Sequence, residues 1–181
     1  MTETPDTVLH FWFSELTPKQ WFVKEEAVDQ RIAERFTELH LALSRQVPDV
    51  WRATPESWLA LVIVYDQFPR NIYRNSPLAF ATDWLALREA KAAIAAGADM
   101  GVSEAQRIFY YLPFEHAEDL AEQDRAVQLC EALGNETYLD YAHQHRAVVA
   151  EFGRFPHRNS ILRRDSTPSE EAYLSKPGAG F

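Results

Sequence analysis

TPESWLALVIVYDQFPRN, residues 54–71, decides the fold. Thr54-Pro55 starts a helix: the hydroxyl caps free backbone N–H groups, and proline fits the first helical position, where no donor is needed. From Trp58 to Tyr65 nearly every residue is apolar, so the helix has almost no polar face. A helix that is apolar all round lies at the centre of a helical protein, covered by others. Its end, Asp66-Gln67, is therefore expected near the interior. Phe68-Pro69 then turns a corner, because proline disfavours a helical residue before it and can begin a helix itself.

Outward from this segment the same punctuation recurs. Thr4-Pro5, Thr17-Pro18, Ser76-Pro77 and Thr167-Pro168 read as further helix starts. Thr167-Pro168-Ser169-Glu170 and Ser103-Glu104-Ala105-Gln106 also fit the reciprocal capping pattern. Helical periodicity runs through Ile32, Phe36, Leu39 and Leu43, and through Phe80, Trp84, Leu87 and Ile94 before Gly97. It continues through Leu120, Val127 and Leu133 before Gly134, and through Tyr138, Tyr141, His145, Val148 and Phe152 before Gly153. No segment alternates like a strand. The expected architecture is all-α: one compact multi-helix domain over residues 1–175 around a central buried helix, followed by a loose tail at 176–181.

Composition narrows the function classes. A chain of 181 residues with 46% hydrophobic and 13% aromatic content can bury a sizeable core. The net charge of -9 argues against nucleic acid, whose binding needs a basic surface. No apolar run is long enough to span a bilayer, and the polar, acidic MTETPDTV start is unlike a signal peptide. The single cysteine, Cys130, sits in the apolar stretch VQLCEAL and reads as a small core residue. A soluble cytoplasmic protein is expected, with no membrane partner. Asp140 and His143 have one-turn ligand spacing, but the further carboxylates of a di-metal site are missing. Phosphate-loop and dinucleotide-binding motifs are also missing, so neither metal nor cofactor is expected.

Chemistry concentrates in three polar segments. Phe68-Pro69-Arg70-Asn71 and Phe155-Pro156-His157-Arg158-Asn159 are two similar corners. Asp66 and Glu151 stand at C-terminal helix ends, and Arg70 stands at an N-terminal one, so these charges oppose the helix dipoles. Two compensations are open. Asp66 and Glu151 could pair with Arg70, Arg74, Arg154 or Arg158, locking the corners as braces. Alternatively, a carboxylate or phosphate ligand could be neutralised by Arg70, Arg74, Arg154 and Arg158, with Gln67, Asn71, His157 and Asn159 orienting it. The third segment is LPFEHAED, residues 112–119. His116 near a helix N-terminus is disfavoured as a cation and could accept a proton, which makes His116 with Glu118 the catalytic pair to test.

FWF near the start, WF followed by D..I..RF, then DQFPRNIYR, AFATD, LPFEHAEDLAEQ, GRFPHRNSIL and STPSEE occur in that order along nearly the whole chain. Together they resemble the bacterial domain-of-unknown-function family DUF924. The resemblance implies an all-α fold similar to tetratricopeptide-repeat domains and brings no established reaction. The family's middle motif is closer to PFMHSED. This chain has Glu115 where Met is usual and Ala117 where Ser is usual, while His116, Glu118 and Asp119 match.

The leading expectation is a helical protein binding a small anionic molecule in an Arg/Asn/His-lined pocket, with Asp66 holding an arginine in place and catalysis an open question. This requires the three polar segments to converge. The rival is a protein–protein interaction module of tetratricopeptide-repeat type with an unidentified protein partner, its Arg/Asp motifs serving only as braces.

Overall fold

A computed structural model describes residues 3–180; Met1, Thr2 and Phe181, which belong to the N-terminal stretch and the expected tail, lie outside them. The described residues form helices and turns, with no strand among them. In chain order the α-helices are α1 (Pro5–His10), α2 (Glu26–Arg45), α3 (Pro55–Asp66), α4 (Phe68–Ile72) and α5 (Asp83–Ala95). They continue as α6 (Glu104–Glu115), α7 (Leu120–Leu133), α8 (Glu136–Phe152), α9 (Asn159–Leu162) and α10 (Pro168–Leu174). Two compact units divide the helices between them, with the boundary at Pro113–Phe114, inside α6. No helix among the described residues is long and apolar enough to cross a membrane.

The first unit is organised by α3. Thr54 caps it reciprocally with Ser57, as the Thr-Pro start predicts. Every residue from Leu59 to Asp66 is buried, and α3 packs against α1, α2, α4 and α5. Phe68, the corner residue after α3, is fully buried. Its ring stacks on Phe36 at 4.6 Å and meets Trp12 at 5.8 Å, so the corner is plugged into an aromatic core. Such rings supply large buried area and favour stacked or edge-on contact.

The large residues of α5 misplace its buried face. Trp84 is 63% exposed, and the buried positions are Leu85, Ala86, Glu89, Ala90 and Ala93. Small residues let α5 lie close to α3. Buried Glu89 is tolerated because Arg52 grips both of its oxygens at 2.8 Å and the Trp58 indole donates to it at 3.0 Å. Trp84 instead carries Arg88 over its ring, 5.4 Å from the centroid.

The second unit centres on the α7–α8 hairpin. Gly134 ends α7 and Gly153 ends α8 with φ of 78° and 69°, left-handed values that glycine adopts without strain. On α7 the buried face is again turned from that of the large residues, whereas on α8 the expected stripe holds at His145 and Val148 and fails at Tyr141. Gln123, Ala126, Leu129 and Cys130 are inward on α7, whereas Leu120 is exposed; Ala142, His145, Val148 and Val149 are inward on α8, whereas Tyr141 is exposed. After α10 the chain turns back: Ala179 donates to the Lys176 carbonyl at 3.2 Å, and Gly180 donates to the Tyr173 hydroxyl at 3.4 Å.

Candidate functional site

The first corner is built on charge pairs within the first unit. Arg70 stands one turn after Asp66, and its guanidinium reaches back rather than outward. Nη1 donates to the Asp66 backbone carbonyl and lies 3.5 Å from its carboxylate. The same group grips Asp83 at 2.8 and 3.0 Å. The sequence places Arg70 against the dipole of the helix it begins; in three dimensions its charge lies at the negative end of α3, where a cation is favourable. Gln67 donates to Asp66 at 2.5 Å. Asn71 donates at 2.8 Å to Asp29 of α2, and Arg74 takes both oxygens of that carboxylate through Nε and Nη2. Asp29 and Asp83, absent from the residues singled out, are the acidic letters of the D..I..RF and AFATD strings.

The second corner solves the same problem with different partners, all in the second unit. Glu118 accepts the Phe155 backbone N–H at 2.8 Å and Arg164 at 2.6 and 2.9 Å. Arg164 also donates to the Phe155 carbonyl at 3.1 Å and to Asn159 Oδ1 at 3.0 Å. Both peptide groups of Phe155 are thereby fixed by one ion pair. Burial pushes the Glu118 carboxyl up, but Arg164 and the Phe155 N–H outweigh it and hold the group below the usual carboxylate range. Arg154 grips the buried Glu170 at 2.6 and 2.8 Å and donates to the Asp165 carbonyl at 2.9 Å. Asn159 donates to Ser166 at 3.0 Å. Glu151, an expected partner for these arginines, is exposed. Glu170 does that work for Arg154, and it was legible only as a capping residue.

A third arrangement surrounds the Phe155 ring. The Arg158 guanidinium lies 4.6 Å from its centroid, His157 5.5 Å and His145 5.7 Å, with His116 6.3 Å from His145. Arg158 and His145 are buried, while His116 and His157 are partly open. His145 Nδ1 is 2.8 Å from the Tyr141 carbonyl. A carbonyl only accepts, so Nδ1 carries the hydrogen and Nε2 keeps the lone pair of the neutral ring. Buried Glu115 lies 3.5 Å from that Nδ1 and 3.4 Å from the Cys130 thiol. Burial, then Glu115, pushes the thiol up, so Cys130 is held as an unreactive thiol. Gln123 steadies this end of α6 by donating to the Glu115 carbonyl at 2.6 Å and the Ala117 carbonyl at 2.8 Å.

Burial, reinforced by neighbouring cationic groups, keeps His145 and His157 neutral. Burial, followed by His116 and Arg158, pushes His145 down to about 3, and burial followed by Arg158 pushes His157 down to about 4. The structure thus brings His116, Glu118, Arg154, His157, Arg158 and Asn159 into one unit and gathers His145, His157 and Arg158 around one ring, with His116 beside His145. Asp66, Gln67, Arg70, Asn71 and Arg74 belong to the other unit. Among the described residues, no group of three His, Cys, Asp or Glu side chains is arranged to hold a metal ion.

Residues 8–178 match the model of the family described as bacterial protein of unknown function, DUF924. The chain is also similar to a solved structure, that of a protein of unknown function from Agrobacterium tumefaciens, at 46% identity and a TM-score of 0.89. The similarity covers 94% of this chain and 96% of that one. No curated protein matches the chain.

Two outcomes are expected. In a double-mutant cycle of Glu118→Gln and Arg164→Gln, urea unfolding gives a coupling energy of about 1–3 kcal/mol, since one carboxylate and one guanidinium fix the Phe155 peptide groups. Additive effects would show that the pair does not hold the corner. The second outcome concerns pH. His145 and His157 have folded pKa values below the unfolded value, so between about pH 6.5 and 4 the unfolded chain holds more protons. Stability is therefore full above that window and falls with decreasing pH inside it, by on the order of 1 kcal/mol per pH unit for each histidine. His40 of the first unit, also pushed down by burial, acts in the same direction. Denaturant midpoints across this window, flattened in His145→Gln and His157→Gln, check it.

Proposed function

The chain belongs to the DUF924 family, and for this member we propose that the second unit binds a small anionic molecule, a carboxylate or phosphate, at His116, His145, His157 and Arg158. One observation carries this reading: two imidazoles and a buried guanidinium collect around the single Phe155 ring at 4.6 to 5.7 Å, with a third imidazole, His116, 6.3 Å from His145. The positive charge of Arg158 opposes protons on the neighbouring imidazoles, and an anion among them reverses the balance. Arg158 supplies the permanent charge and a planar set of donors suited to carboxylate and phosphate. The imidazoles supply further donors once protonated.

The neighbouring ion pairs support a division of labour. Glu118 serves Arg164 and the Phe155 backbone, so its role in this reading is to position the corner, not to exchange protons with His116. Arg154 and Asn159 brace the loop after α8. Asp66, Gln67, Arg70, Asn71 and Arg74 brace the first corner, the last four donating to Asp66, Asp83 or Asp29. The function is accordingly binding, with no reaction assigned. A cytoplasmic location accompanies it, supported by the single cysteine being buried and free.

Thermal shift and calorimetry with inorganic phosphate and citrate test the reading. At a hundredfold excess over its dissociation constant, a bound anion stabilises the fold by about 2.7 kcal/mol. Arg158→Gln is expected to weaken binding by roughly 10- to 100-fold, consistent with loss of a charge-assisted contact, and Arg158→Lys to restore part of it. Unchanged affinity in folded Arg158→Gln, or no stabilisation of the wild type by either anion, would contradict it.

A further inference from the structure

We propose that the anion site takes up a proton together with its ligand, and that His157 is the residue that receives it. This rests on the anion-binding reading above and concerns how that site is regulated. His157 is the residue by which the second corner differs from the first: Phe68-Pro69 is followed directly by arginine, whereas Phe155-Pro156 is followed by His157 and then Arg158. A brace needs no such insertion, because the Glu118–Arg164 pair already fixes the Phe155 peptide groups.

The surroundings of His157 come from several elements. Its own turn supplies Arg158, over the same Phe155 ring at 4.6 Å. From the loop after α6 come His116 and Glu118, and from beyond α9 comes Arg164, all acting on His157 through space. On α8 lies His145, 5.7 Å from Phe155, with Nδ1 committed to the Tyr141 carbonyl and Glu115 3.5 Å from it. Across the ring the chain closes with Gly180, where an added Cβ would sit 3.1 Å from the His157 Cβ. The carboxylate nearest in role, Glu118, is matched by both arms of Arg164. Without a ligand, burial and then Arg158 oppose a proton on His157, Glu118 offsets them only in part, and the value is about 4.

An anion drawn to Arg158 changes the sign. An opposite charge within hydrogen-bonding range raises an imidazole pKa by roughly 1 to 3, which brings His157 towards neutrality. The gain is reciprocal: protonation strengthens anion binding by the same factor that the anion strengthens protonation. His145 is the weaker acceptor, because its ring is more deeply buried and its value lies lower, at about 3, even though the Tyr141 carbonyl on Nδ1 favours its cation. The site would therefore load at mildly acidic pH and release as pH rises, with Arg158 providing the constant part of the attraction.

Sulfate is the probe, because it does not titrate in this range and any proton taken up belongs to the protein. Calorimetry of sulfate binding to the full chain, at constant ionic strength and in buffers of different ionisation enthalpy, counts protons directly. Between pH 5 and 6 the expected result is a fractional uptake, about half a proton per sulfate at pH 6 for a rise of about 2, with the association constant rising several-fold per unit fall in pH. In His157→Gln, sulfate still binds through Arg158, with proton uptake and pH dependence largely lost. Sulfate binding with no proton uptake overturns the coupling and leaves the anion site standing. Undiminished uptake in His157→Gln overturns the assignment to His157, and no sulfate binding to the wild type overturns both the coupling and the site.

Discussion

A chain leaving a buried helix must satisfy that helix's last carbonyls and turn without water to help. At the end of α3 this falls to Arg70. Asp66 is fully buried, and its carbonyl and carboxylate both lie within reach of the Arg70 guanidinium. Removing such a guanidinium would leave an unmatched buried charge, which costs far more than a surface pair contributes. Phe68, locked among Phe36, Trp12 and Phe11, is where this electrostatic solution meets the apolar core. The corner therefore fixes where α4 goes, and with it the Asn71 and Arg74 contacts to α2.

At the second corner the same sequence signature is held differently. The clamp there is a carboxylate from residue 118 and a guanidinium from residue 164, which together take both peptide groups of Phe155. The inserted His157 and the following Arg158 are then directed at the Phe155 ring. Bracing and binding are in this view successive layers of one arrangement. The ion pair holds the backbone, the backbone aims the ring, and the ring gathers the imidazoles and Arg158 that an anion would meet. Preorganisation of this sort is what a binding site needs from its supporting residues.

Some of this was open to a reader of the sequence. The Thr54-Pro55 start, the apolar run of α3 and the glycine ends of α7 and α8 each follow from local rules, because capping and left-handed turns involve neighbours in the chain. Helix faces were less legible. Trp84, Leu120 and Tyr141 are large and apolar yet exposed, while Ala86, Ala126 and Ala142 are inward. Close helix packing selects small residues on α5 and α7, whereas on α2 a stripe drawn through large ones, Ile32, Phe36 and Leu43, finds the buried face. The partners of the corner residues were hidden for another reason. Asn71 and Arg74 meet Asp29 from 42 and 45 residues away, and Glu118 meets Arg164 from 46. No spacing rule reaches that far. The His145–Phe155–His157 grouping was likewise invisible, since it depends on how the end of α8 folds back beside its own ring.

The central claim is that one corner of this protein is a brace alone and the other a brace that frames an anion site. Nitrogen-detected NMR of the imidazoles and arginine Nε groups, recorded while inorganic phosphate is added, tests it most directly. The account predicts perturbation at His116, His145, His157 and Arg158, with the Arg70, Arg74 and Arg164 signals unmoved. Saturable shifts at Arg70 and Arg74, with the histidine cluster silent, would contradict it.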